Sequence, residues 1–247
     1  MFKSLNLLTI TSSIMYEEKA ESLYKAYREK KVIEPFEVNT KEEAYEIFNL
    51  FTKKLIKEKG LGGYKISLVT PQSLKKFNTD SPDYGILTND MIIKDSDKVV
   101  LPFKYAYAEV EVIVIADKCR EDSIPECIKE TYLGIEIPMT RFNAPLNKLS
   151  TLQLKADDMV SGALFVGKEI SKQPNEVSFY VNDELKERNR PNFIYGDYLG
   201  MLRWLTKVIG EVSGYVSTGS ITGPIPLNKN QKIEVKSDQV SFEVYTT

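Results

Sequence analysis

The chain has 247 residues, 42% of them hydrophobic and 28% charged, and 33 basic against 35 acidic side chains give a formal net charge of −2. That balance excludes the basic face of a general nucleic-acid binder, and the length supports one large domain, or a domain with a small cap, without covalent staples. There is no histidine, which excludes Ser-His-Asp and Cys-His nucleophile pairs and imidazole-built zinc sites.

Acid–base chemistry therefore falls to Asp, Glu, Lys, Tyr or Cys. A metal site would be oxygen-rich, which suits Mg²⁺ or Mn²⁺. The N-terminal stretch Met1–Leu8 is apolar but short and lacks a small-residue cleavage site, so no signal peptide is expected. No run of about 18 apolar residues indicates a membrane span. Cytoplasm is the expected location.

Residues 15–60 read as helical. Leu23, Ala26 and Tyr27 share one face. Pro35 punctuates a break, and Thr40 with Glu43 forms an N-cap and capping-box signal. Ala44, Ile47, Phe48, Phe51 and Leu55 follow at helical spacing, and Gly60, Gly62 and Gly63 are expected to end that helix. Tyr64–Val69 reads as a strand, and Pro71–Asp83 as a Pro-, Ser- and Asp-rich connection. Strands are expected at 99–103, 108–116, 132–137, 162–166 and 177–181, the last ending in the turn Asn182-Asp183. A helix is expected over 198–209, and alternating strands and turns from 215 to 244. Residues 1–62 thus form a helical cap segment, and 63–247 a β-rich domain. Cys119 and Cys127 make no CxxC motif and are expected as free thiols in a reducing compartment.

In Glu109-Val110-Glu111 the two carboxylates project to one strand face. Side by side they repel unless a cation sits between them. Glu136, flanked by Ile135 and Ile137, is a third acid. Three carboxylates from two strands fit a divalent-cation site, and a lysine-balanced solvated strand face fits the same spacing. Lys65, among apolar residues after a double glycine, fits either a proton-transfer lysine of lowered pKa or an edge-strand lysine. Ser217–Pro226 is rich in hydroxyls, glycine and proline; it reads as an anion-binding loop or as a turn. Asp157-Asp158 reads as a turn.

Gly63-Tyr64-Lys65-Ile66, Pro82-Asp83-Tyr84-Gly85, Asp90-Met91, Glu109-x-Glu111, Glu136, Ala156-Asp157-Asp158, Trp204-Leu205 and Thr218-Gly219-Ser220-x-Thr222 occur in an order that resembles one group. It is the 2-keto-4-pentenoate hydratase and 4-oxalocrotonate decarboxylase branch of the fumarylacetoacetate hydrolase superfamily, and the likeness runs from about Thr40 to the C-terminus. The resemblance implies an α+β fold, a mixed β-roll or barrel behind an N-terminal helical cap, assembled as a homodimer or larger homo-oligomer. It implies Mg²⁺ or Mn²⁺ on Glu109, Glu111 and Glu136, with Lys65 and Asp83 as catalytic residues and Ser161, Ser220 and Thr222 lining the substrate pocket.

The implied substrate is a small 2-oxo acid, with no nucleic-acid or membrane partner. A metal-bound enolate would serve hydration of 2-hydroxypenta-2,4-dienoate, or decarboxylation of a 2-oxo-hexenedioate if Lys104, Arg141 or Lys155 held its distal carboxylate. An acylpyruvate-type C–C hydrolase is disfavoured without histidine, and a non-catalytic ligand-binding paralogue is the remaining alternative. The chain departs from the family pattern at Pro138–Arg141, Asp158 and Tyr195–Tyr198, which bears on substrate identity.

Overall fold

The structure, a computed structural model, describes residues 2–247; Met1, the start of the apolar stretch considered above, lies outside them. Helix α1 (Phe2–Glu29) packs against α2 (Lys41–Lys59). At the start of α2 the Glu43 N–H donates to the Thr40 hydroxyl, while the Glu43 carboxylate accepts from the Asn39 N–H, one residue earlier than a standard capping box. Gly60 caps the other end with φ 75°, and its N–H donates to the Ile56 carbonyl. Gly62 and Gly63 do not end the helix; they lie in strand β1 (Leu61–Ser67).

Next come α3 (Pro71–Lys76), β2 (Asp83–Thr88), and the two-residue strands β3 (Ile92–Ile93) and β4 (Lys98–Val99). The long strands β5 (Ala106–Cys119) and β6 (Ile128–Ile137) form an antiparallel pair. After them come α4 (Thr151–Ala156), β7 (Ala163–Glu169), β8 (Val177–Val181), β9 (Glu184–Asn189) and α5 (Tyr198–Ile209). The chain closes with β10 (Val212–Ser220), β11 (Ile225–Leu227), β12 (Lys232–Ser237) and β13 (Ser241–Thr246).

The larger, mixed sheet runs β2-β1-β10-β5-β6-β7-β3, with β11 paired to β5; the smaller runs β4-β13-β12-β8-β9. Stacked Phe165 and Phe242, with ring centroids 5.8 Å apart, join the two sheets. One hydrophobic cluster takes in Leu23 and Phe51 of the helices together with Val112, Ile135 and Val216 of the larger sheet. The helical segment and the β-rich part therefore share a core.

Several expectations are corrected. Helix α1 starts at Phe2, far before residue 15, through a Ser- and Thr-bearing stretch of modest helix propensity. The connection Pro71–Asp83 holds α3, whose start Thr70 caps. Strand β9, Glu-Leu-Lys-Glu-Arg-Asn, escapes a hydrophobic-alternation reading because it is a solvated edge strand. Of the strand expected over 99–103, only Val99 lies in a strand, the two-residue β4 (Lys98–Val99).

The cysteines are not free thiols: Cys119 and Cys127 form a disulfide, with Cα atoms 5.2 Å apart. Strand β5 ends at Cys119, and the turn over Glu121–Ser123 returns the chain to β6 beside it. Sequence spacing alone does not reveal that return. No described helix is long and apolar enough to cross a membrane.

Candidate active site

Strand register builds the site. Glu109 on β5 stands opposite Glu136 on β6, and Glu111 stands two residues further along β5, opposite Gly134. Strand parity turns Glu109 and Glu111 to the same face. Lys65 on β1 stands opposite Ser217 of the neighbouring parallel strand β10. Ser217 in turn donates its hydroxyl to Glu111 Oε2, which also accepts the Gly219 N–H at 2.9 Å. Strands β1, β5 and β6 thus deliver one lysine and three glutamates to a single patch, and β10, between β1 and β5, adds Ser217.

Carboxylate oxygens of Glu109, Glu111 and Glu136 all lie within 4.8 Å of one another. Lys65 Nζ sits 3.0 Å from Glu136 Oε2 and donates to the Met159 carbonyl at 2.9 Å. Lys65 and Glu136 are essentially inaccessible to solvent. Neither Glu136 oxygen receives an aligned hydrogen bond, so the Lys65 contact is a bare ion pair.

Burial and crowding distort every protonation equilibrium here. Burial, followed by the charge of Glu109, pushes Glu111 up to about 8, against the Ser217 and Gly219 hydrogen bonds. Burial also raises Glu109, and it raises Glu136 well above the usual carboxylate range. Burial works to lower Lys65, but the charges of Glu136, Glu109 and Glu111 outweigh it and leave its pKa raised. Both readings of Lys65 are therefore corrected: β1 lies between β2 and β10, so the lysine is buried and not at an edge, and its pKa is raised and not lowered.

Buried charges are normally paired and hydrogen-bonded. Three converging carboxylates with two orphaned oxygens are an all-oxygen donor set that a divalent cation would complete. The residues present fit such an ion.

The cluster borders a cavity of about 420 Å³, whose wall includes Lys65, Glu109, Glu111, Ser220 and Thr222. Apolar side chains Val69, Leu146, Leu154 and Ile221 supply much of the remainder. The hydroxyls of the loop are partly committed: Ser220 donates to the Thr222 carbonyl, and Thr222 Oγ1 accepts from the Val110 N–H.

Asp83 and Ser161 do not line this cavity. Asp83 lines a second cavity of about 330 Å³, paired with Lys155 at 2.9 Å and hydrogen-bonded by Tyr45. Leu68 and Phe77 belong to both walls. Ser161 is buried, its hydroxyl donating to the Asp158 carbonyl.

The cations considered for a distal carboxylate are elsewhere too. Arg141 and Lys155 are buried against Asp157 and Asp83, and Lys104 reaches Asn143. Sequence reasoning missed Lys76 and Arg190, which do line the first cavity. They stand in α3 and just past β9, two elements that hydrophobic patterning did not reveal. Missed as well was the Met159 carbonyl, a backbone acceptor without a side-chain signature.

No family model and no curated protein sequence matches the chain. Solved structures do. One is 4-oxalocrotonate decarboxylase from Pseudomonas putida G7, complexed with magnesium and adipate, with a TM-score of 0.80 at 18% identity over 94% of this chain and 97% of that one. The fold is shared with that enzyme.

Fumarylpyruvate hydrolase from Pseudomonas aeruginosa, in complex with Mn²⁺ and pyruvate, matches with a TM-score of 0.59 at 12% identity, over 74% of this chain and 88% of that one. The 2-hydroxyhepta-2,4-diene-1,7-dioate isomerase from Mycobacterium marinum matches with 0.54 at 14%, over 76% and 75%. The architecture is the fumarylacetoacetate hydrolase-like α+β fold that the sequence resemblance implies, a mixed sheet behind N-terminal helices.

Proposed function

We infer that this chain is a divalent-cation-dependent enzyme of the 2-keto-4-pentenoate hydratase and 4-oxalocrotonate decarboxylase branch, acting on a short 2-oxo acid or its 2-hydroxy-dienoate tautomer. The observation that carries this reading is the Glu109–Glu111–Glu136 cluster, with both Glu136 oxygens orphaned, beside the Lys65 ammonium at a cavity wall. The fold shared with enzymes solved in complex with magnesium or Mn²⁺ supports it.

Glu109, Glu111 and Glu136 would hold Mg²⁺ or Mn²⁺, which when bound supplies Lewis acidity toward the carboxylate and C2 oxygen of a 2-oxo acid. Lys65, held by the Met159 carbonyl and by Glu136, offers N–H donors toward the oxygen on which negative charge develops. The apolar wall accommodates a short unsaturated chain and limits competing water. The proposed reaction is hydration: 2-hydroxypenta-2,4-dienoate is ketonised, and water then adds at C4 to give 4-hydroxy-2-oxopentanoate. Assembly as a homodimer or larger homo-oligomer belongs to the same proposal, and light scattering tests it.

A second reading, decarboxylation of a 2-oxo-hexenedioate, is favoured by one observation. Lys76 and Arg190 are cations of the cavity wall, and among the described residues Lys76 makes no ion pair. The deciding experiment follows ultraviolet absorbance of 2-hydroxypenta-2,4-dienoate with Mg²⁺ or with EDTA, products identified. Mg²⁺-dependent loss of the dienol with 4-hydroxy-2-oxopentanoate formed is the expected result. CO₂ release from the dicarboxylate with no hydration would shift the assignment to the decarboxylase, and no turnover of either would sink the enzymatic reading.

A further inference from the structure

Three consecutive non-glycine residues, Asp158 (φ 55°), Met159 (φ 47°) and Val160 (φ 55°), are left-handed. One such residue is uncommon, and a β-branched valine there is a genuine outlier. A run of three persists only where its surroundings over-determine it.

The surroundings do so. The Arg141 guanidinium spans the turn: one terminal nitrogen donates to the Asp157 carbonyl and the other to the Ser161 carbonyl. Its Nε donates to Asp157 Oδ1 at 2.6 Å, while the Arg141 N–H and the Thr140 hydroxyl donate to Asp157 Oδ2. Both Arg141 and Asp157 are wholly buried.

The turn also sits on Gly85, where a Cβ would fall 2.5 Å from the Asp158 carbonyl oxygen. Gly85 is the register partner of Lys65. The Ile86 N–H donates to Asp158 Oδ1 and fastens the turn to the same strand. The middle carbonyl of the turn, that of Met159, is the one that accepts from Lys65 Nζ.

We propose that Arg141 and Asp157 are positioning residues: together they clamp a left-handed turn whose Met159 carbonyl sets the place of the Lys65 ammonium beside the three-glutamate cluster. Neither residue borders the cavity. For its catalytic consequence the proposal rests on the reading given under Proposed function; its structural content does not.

The test uses Arg141→Lys, which keeps a cation beside Asp157 but cannot donate to both carbonyls from a planar fork. Its first readout is the Lys65 side-chain ammonium signal in ¹⁵N-lysine NMR of the cation-free protein, assigned with Lys65→Met. The expected result is loss or displacement of that signal, with partial return in Arg141→Lys/Val160→Gly, because glycine takes the left-handed conformation without strain. Val235→Ala in the smaller sheet is the control: it lowers the melting temperature and leaves the Lys65 signal in place.

The second readout is kinetic. In Arg141→Lys, kcat falls about 100-fold while KM stays nearly constant, as expected of a misplaced group. The Mn²⁺ Kd, read by electron paramagnetic resonance, changes less than about threefold, since the glutamates stand on strands the clamp does not hold. A folded Arg141→Lys protein with an unchanged Lys65 signal overturns the proposal. If Arg141→Lys does not fold, the double variant against Val160→Gly decides the same point by the same signal. Absence of turnover in the unaltered protein would count against the 2-oxo acid reading alone, because the NMR arm needs no substrate.

Discussion

Two of the buried charge clusters in this molecule, around Asp157 and around Glu136, are satisfied in opposite ways. Around Arg141 and Thr140 both Asp157 oxygens accept hydrogen bonds, and the guanidinium nitrogens have carbonyl or carboxylate partners, although Oδ2 of the adjoining Asp158 accepts none. Around Glu136 two buried oxygens accept none, and three carboxylates face one another with a single lysine nearby. A closed network of this kind holds backbone in place. An open one leaves buried charge that the fold alone does not compensate. The difference separates scaffold from candidate site more sharply than residue type, since both clusters consist of acids and a base.

The comparison can be broken by substitution. Glu109→Gln should abolish Mg²⁺ or Mn²⁺ binding in calorimetry and lower kcat/KM by more than about 1,000-fold, the largest effect expected. Lys65→Met should leave the cation bound yet lower kcat by about 100- to 10,000-fold, the range for a lost proton-transfer or oxyanion partner. Retained turnover in either variant would remove that residue's assigned role. Arg141→Met should act through stability instead, costing about 3–5 kcal/mol in denaturant unfolding because Asp157 is left buried and unpaired.

Titration sharpens it further. Glu111 holds its proton more tightly when folded, with a carboxyl pushed up to about 8 from an ordinary 4.5 by burial and by Glu109. Its contribution to stability is therefore full below pH 4.5 and is lost as pH rises toward about 8. Cation-free protein should lose melting temperature across that window. Mg²⁺ at about 100 times its Kd should return about 2.7 kcal/mol at the upper end, in thermal scans with and without EDTA. Glu111→Gln should flatten the slope, and a slope unchanged in that variant would assign it to Glu136, which burial raises well above the ordinary carboxylate range, or to Asp158, raised by burial to about 7. The smallest effect belongs to Lys76→Met and Arg190→Met: KM for a dicarboxylate should rise about 10-fold with KM for 2-hydroxypenta-2,4-dienoate unmoved.

Much of this was legible from residues alone. Strand parity places Glu109 and Glu111 together, and the capping signal at Thr40 marks where α2 begins. The helix over 198–209 and the strand over 177–181 have the bounds their patterns predict. What parity cannot supply is which strands become neighbours. β10, near the end of the chain, inserts between β1 and β5 and brings Ser217 to Glu111. Asp83 was implied by its place in the Pro82-Asp83-Tyr84-Gly85 motif, and its side chain pairs with Lys155 in the second cavity. Arg141 and Asp157 read as a departure and a turn because their work is done on backbone carbonyls, which no composition records.

The candidate cavity is walled from both sheets: Lys65 and Glu109 come from the larger, whereas Glu187 and Asn189 come from edge strand β9 of the smaller. The Gly223 N–H, in the turn after β10, donates to the Glu187 carboxylate across that boundary. Occupying the cavity therefore adds a tie between two sheets already joined by the stacked Phe165 and Phe242. Protection gained by a ligand should spread into β9 and β8, a footprint visible far from the glutamates themselves.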